Sequence, residues 1–127
     1  MDIFFNLVSL FARGYSFTQS LIPSEKYRII SNFAPNHPFV QNLANQCSSF
    51  EDCEKIIDKV IVYRLSIEVW GKECIPTIDQ LITTEKNGIY FGDCKTQAVL
   101  LRSILKSKGY KFKVRTNYQH VWIEKEN

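Results

Sequence analysis

The segment that most restricts the fold runs from Gly92 to Gly109. Ala98, Leu101, Ile104 and Leu105 recur at helical spacing, Lys106 and Lys108 occupy the last turn, and Gly109 follows as a stop, so the sequence predicts a helix over 94–108. Two stretches of alternating pattern follow, Lys111-Phe112-Lys113-Val114-Arg115 and His120-Val121-Trp122-Ile123-Glu124, with 116–119 as a turn between them. A helix followed by a returning hairpin can bring the second strand back beside the helix's first turn. The lysines of this region fall on outward positions and read as a solvated face.

Upstream, the pattern is mainly helical. Ile3, Phe4, Leu7, Val8, Leu10 and Phe11 mark a first helix that packs by its Phe-rich face, and Ser24 to Phe33 reads as a short second one. Pro35, Asn36 and Pro38 punctuate a turn in which His37 is expected to be exposed. Helical spacing resumes over 39–46 and again from Ser49 to about Val69, where Ser49 and Asp52 stand as N-cap and acidic third position. Gly71 to Gly92 reads as irregular, with a short helix around 77–84 and a turn at Asn87-Gly88.

A chain of 127 residues, 45% hydrophobic, with only 5 Gly and 4 Pro, is long enough for one sizeable core and too apolar to stay disordered. One domain over 1–127 is expected. Sixteen basic against thirteen acidic residues leave a net charge of +3, far from the dense basic stripe of a nucleic-acid surface. The apolar stretch 3–12 is too short to span a bilayer and lacks the leading Lys or Arg of an export signal. Cys47, Cys53, Cys74 and Cys94 have no C-x-x-C spacing, so reduced thiols in the cytoplasm are expected rather than a zinc site or a disulfide framework.

Cys94 opens the helix directly after Gly92-Asp93. Unpaired amides and the positive end of the helix dipole at such a position favour a thiolate, which is a position for a nucleophile. A neutral His120 imidazole returned beside it would accept the thiol proton and later donate it to a leaving amine. Taken singly, such a cysteine is more often a small buried packing residue and such a histidine a hydrogen-bonded one. Asp93 is read first as the helix cap, since its charge opposes a thiolate. Trp122 shares the face of His120; Tyr90 and Phe91 either wall a cleft or pack in the core. Trp70 is a weaker candidate for an indole N–H toward an oxyanion, and Cys47, Cys53 and Cys74 read as structural.

Gly92-Asp93-Cys94-Lys95-Thr96-Gln97-Ala98, then Leu100-Leu101, Leu105, Gly109-Tyr110 and His120-Val121-Trp122, resemble the core of the transglutaminase-like family. The likeness covers about Tyr90 to Glu124, with 53–81 fitting the family's helical lead-in and 1–36 remaining an unassigned, partly helical extension to a core over 37–127. It implies an α+β, papain-like fold: N-terminal helices, and a central cysteine-bearing helix packed on a small antiparallel sheet that carries the histidine. It also implies acyl transfer or hydrolysis at an amide of a protein or peptide substrate, by peptidase, amidase or transglutaminase chemistry. Cys94 is then the nucleophile, His120 the base and acid, and no metal or cofactor is required. The alternative is a non-catalytic binding module that keeps the fold.

One departure stands out. The family's third residue, usually an aspartate, lies a dozen or more residues past the histidine, beyond Asn127. At about 3.3 Å per residue, Glu124 lies roughly 13 Å along the strand from His120, too far to orient it. Three readings stay open: the sequence is part of a longer chain, an upstream polar group or carbonyl takes the aspartate's place, or the domain is catalytically weak or inactive.

Overall fold

The computed structural model describes residues 32–116 and 120–126. The expected first helix, and all but the last two residues of the expected second, lie outside them. The elements are α1 (Pro38–Ala44), α2 (Phe50–Val60), β1 (Ile61–Tyr63), α3 (Ser66–Trp70), α4 (Ile78–Ile82), β2 (Tyr90–Gly92), α5 (Cys94–Lys108), β3 (Phe112–Thr116) and β4 (Val121–Lys125). The mixture is α+β.

α5 is the axis of the molecule. Every residue from Cys94 to Leu101 is buried, and Ser103, Ile104 and Leu105 continue the buried run. α1, α2 and β4 pack around it. Burying each of its large apolar side chains contributes about 1.5–3 kcal/mol, far more than helix propensity supplies. Its limits are those the sequence predicts. Asp93 caps the start, while Gly109 at φ 78° ends it, with the Tyr110 N–H reaching back to the Leu105 carbonyl at 3.0 Å.

β3 and β4 form the expected antiparallel pair, each one residue further along than the alternation implies, with Thr116 opposite Val121 and Phe112 opposite Lys125. Val121 and Ile123 face the core against α5.

Two corrections concern the lead-in. The helix expected from Ser49 to Val69 ends at Val60, because the β-branched Ile61-Val62 turns extended there and pairs in parallel with β2, Ile61 opposite Tyr90 and Tyr63 opposite Gly92. The stretch expected to be irregular up to Gly92 therefore ends in a strand. Arg64 adds one more bond, its N–H donating to the Gly92 carbonyl at 2.9 Å, before α3 starts at Ser66. This parallel pair fixes where β2 hands the chain to α5. The Ser49 cap is present, its hydroxyl accepting from the Asp52 N–H at 3.1 Å, and the Asp52 carboxylate turns back onto Ser48. Asn87 (φ 54°) and Gly88 (φ 81°) make the expected turn. His37 is not simply exposed: its Nδ1 accepts from the Phe39 N–H that opens α1, and its Nε2 lies 2.7 Å from Asp79 Oδ1.

Among the described residues no helix is long and apolar enough to cross a membrane.

Candidate active site

Gly92 is required by space rather than by backbone angle. A Cβ there would fall 2.4 Å from Thr96 Cγ2 and 2.5 Å from Thr96 Cβ, so only glycine lets β2 run straight into the first turn of α5. Asp93 follows in extended backbone. Its Oδ1 accepts from the Lys95 N–H at 3.0 Å and the Thr96 N–H at 3.2 Å. Its Oδ2 accepts from the Ser66 hydroxyl at 2.7 Å and lies 3.3 Å from Lys95 Nζ. Lys95 Nζ in turn donates to Glu73 Oε1 at 2.6 Å.

This chain of charge, buried at Ser66, Asp93 and Lys95 and reaching the surface at Glu73, is absent from the sequence reading. Lys95 is a cation in the first turn of a helix, where the dipole opposes it, and that was the available signal: such a residue needs an acidic partner. Burial works against the Lys95 charge, but Asp93 and then Glu73 outweigh it and raise its pKa above the ordinary lysine value.

Cys94 lies within this frame at the first position of α5, 5% exposed. The Val121 backbone N–H, at the start of β4, is directed at its sulfur, as is the amide of Cys94 itself. The hairpin therefore returns to the helix start, as the order of elements requires. The expectation of a lowered thiol pKa is overturned. Burial first, and the Asp93 carboxylate second, push the thiol up to about 12, against weaker opposing effects of Lys95 and the two amides. A helix terminus stabilises an anion by at most a kcal/mol or two, which desolvation of a fully enclosed thiolate exceeds.

His120 immediately precedes Val121 and is 3% exposed. Its ring stacks on Trp122, centroids 5.7 Å apart and planes 17° from parallel. Neither ring nitrogen has a hydrogen-bond partner among the described residues, so the structure brings His120 to the neighbourhood of Cys94 without joining them by a hydrogen bond. Burial lowers the imidazole pKa to about 4 and leaves it neutral. Glu124 is committed elsewhere, as the spacing predicts: Trp122 Nε1 donates to it at 3.2 Å and Arg115 Nε at 3.1 Å.

The remaining candidates separate. Tyr90 packs edge-on to Phe39 at 5.0 Å. Phe91, beneath the Arg64 guanidinium at 5.5 Å, lines a cleft of about 530 Å³ with Trp70, Glu68 and Lys86, and neither Cys94 nor His120 lines that cleft. Trp70 Nε1 is buried without a partner among the described residues, and the cleft it borders does not include the proposed nucleophile. Among the described residues no group of three or more His, Cys, Asp or Glu side chains is disposed to hold a metal. The site is thus a thiol and an imidazole, both enclosed and both neutral, at the junction of a helix start and a strand start. No family model, curated protein or solved structure matches the chain.

Proposed function

We propose that the chain is a papain-like, transglutaminase-like domain that carries out acyl transfer or hydrolysis at an amide of a protein or peptide, with Cys94 as nucleophile and His120 as general base and acid. The observation that supports this reading is the Val121 N–H directed at the Cys94 sulfur, with the buried His120 next in the chain to Val121 and neither of its ring nitrogens bonded among the described residues. An unpartnered buried polar atom costs about 1–3 kcal/mol and calls for a reason, and a proton-transfer role supplies one.

In the reaction the neutral imidazole takes the thiol proton as sulfur attacks the amide carbonyl. The tetrahedral oxyanion collapses to a thioester, and the imidazolium gives its proton to the departing ammonia or amine. Water or a second amine then releases the acyl group.

The resting pKa values favour a second reading, the non-catalytic binding module. With burial pushing the thiol up to about 12 and the imidazole down to about 4, moving the proton between them in the resting state is strongly uphill. Acyl transfer therefore requires substrate entry to rearrange or solvate the pair.

The deciding experiment incubates the protein with a glutamine-containing peptide amide and hydroxylamine, measuring hydroxamate and ammonia, alongside per-cysteine labelling by iodoacetamide. Acyl transfer predicts product that Cys94→Ser abolishes and His120→Ala lowers by about 10²-fold or more. It also predicts that peptide raises Cys94 labelling above that of Cys47, Cys53 and Cys74. Product surviving Cys94→Ser overturns the assignment of Cys94; peptide binding without product, and with Cys94 unlabelled, establishes the binding module.

A further inference from the structure

The side chains of β4 divide between two faces. Val121 and Ile123 are buried against the core, while alternation turns Trp122 and Glu124 to the other side. Arg115 of β3 stands opposite Trp122 and shares that second face. The groups there are joined in series. The His120 imidazole lies against the Trp122 indole as an offset stack, centroids 5.7 Å apart and planes 17° from parallel. Trp122 Nε1 donates to Glu124 Oε2 at 3.2 Å, and Arg115 Nε donates to Glu124 Oε1 at 3.1 Å. The indole is thus pinned by its edge, and its ring face meets the imidazole.

We propose that Trp122 is the positioning residue for His120, anchored by Glu124 and Arg115 and acting through a stacked face where a carboxylate would act through a hydrogen bond to the ring edge. This role rests on the acyl-transfer reading of Cys94 and His120. Neither imidazole nitrogen is hydrogen-bonded among the described residues, so no such bond sets the ring plane there. A flat contact restrains the plane without occupying a nitrogen and leaves both for proton transfer.

The stack also distinguishes the two charge states of the ring. In the first step the proton leaves the Cys94 sulfur, whose bonding pair stays behind as the thiolate, and the imidazole becomes an imidazolium. A cation within about 6 Å of an aromatic centroid is attracted to the ring face, most strongly by tryptophan, and the stack already holds the imidazole inside that range. The attraction grows as the charge develops, so it favours the reacting state over the resting one. Trp122 therefore bears on turnover rather than on substrate binding.

The test uses the full chain in the hydroxylamine assay, measuring kcat and KM separately, and follows the His120 ring protons by NMR. The chain has two histidines, so His37→Gln assigns the His120 signals. In the wild type the indole should displace these signals upfield. Trp122→Leu should remove the displacement and lower kcat about tenfold while KM stays within about twofold, and Trp122→Phe, which keeps a ring face, should recover most of kcat. Glu124→Ala changes an exposed side chain and frees the indole edge; it should reduce the displacement and kcat, each by less than Trp122→Leu does.

Wild-type His120 signals without displacement, a folded Trp122→Leu with kcat within about twofold of wild type, or a loss carried by KM would each overturn the role of Trp122. If Trp122→Leu does not fold, Glu124→Ala decides: unchanged kcat with unchanged His120 signals overturns it. A wild type that forms no product overturns the acyl-transfer reading and this role with it, whereas wild-type product undiminished by Trp122→Leu overturns this role alone.

Discussion

The two ends of α5 are built on opposite principles. At its C-terminus the polar groups are met by ordinary partners. The Gly109 and Tyr110 amides cap the Lys106 and Leu105 carbonyls, Lys108 ties down the end of α1, and Gln41 reaches the Ser107 hydroxyl. At its N-terminus two charges are buried side by side, a thiol is held far from ionisation, and the buried imidazole at the start of β4 has no hydrogen-bond partner among the described residues. One end obeys the rule that buried polar groups are paired; the other departs from it at the residues of the proposed chemistry. The instability stored at the N-terminal end is what a purely structural helix would have removed.

The largest expected effect is at Asp93. Asp93→Ala leaves the Lys95 ammonium with Glu73 alone and strips the acceptor from two amides, while the Ser66 hydroxyl keeps only the Cys74 carbonyl. Breaking a buried ion pair from one side costs about 3–5 kcal/mol, to which loss of the cap adds about 1. Urea unfolding should show a loss of that size, and a loss below about 1 kcal/mol would mean that the charge chain is dispensable. Asp93→Asn keeps a capping oxygen and should cost less. Because the carboxylate holds the Cys94 thiol up, Asp93→Asn should also move the pH midpoint of Cys94 labelling downward.

Next in size is the acid response of His120. Its folded pKa of about 4 lies below the ordinary 6.5, so the unfolded chain binds the proton more readily. The resulting stability is fully present above pH 6.5 and is lost as pH falls toward 4, by roughly 2–3 kcal/mol. His120→Phe removes this loss. Because both ring nitrogens lack partners among the described residues, the variant should match or exceed the wild type in stability at pH 7 while losing any activity. Urea midpoints of the two proteins between pH 4 and pH 7 should therefore diverge toward acid; parallel curves would mean that the imidazole is hydrogen-bonded or hydrated in solution.

The same contrast explains what the sequence disclosed. Both limits of α5, the hairpin after it and the Ser49 cap were legible because each rests on a local signal: a capping side chain, a glycine, or an alternation. The parallel pairing of 61–63 with 90–92 was not. Each strand has three residues, and the Ile61-Val62-Tyr63 run sits at the end of a helical periodicity. Lys95 reads as a surface residue until Glu73, in a loop before α4, is brought to it. His37 likewise gains its place from Asp79. The candidate pair Cys94 and His120 was visible as residue types in order, but the enclosure that sets their protonation depends on the whole packing around α5.

The smallest effect belongs to the C-terminal end and makes the contrast between the ends quantitative. Gly109 sits at φ 78° with nothing within 4 Å of where a Cβ would stand. Gly109→Ala therefore meets no neighbour and pays only for left-handed backbone, about 1–2 kcal/mol, and Gly109→Asn should cost less because asparagine tolerates that region better. Gly92→Ala is the opposite case: its backbone is ordinary, but the new Cβ would lie 2.5 Å from the Cβ of buried Thr96, so trimming Thr96 to Ala cannot relieve it. If unfolding measurements place Gly109→Ala well below Asp93→Ala, and Asn between Gly and Ala, the C-terminal end is governed by local backbone geometry alone. A Gly109→Ala loss as large as that at Asp93 would show that the two ends are coupled through α5, and the division between a structural end and a reactive end would fall.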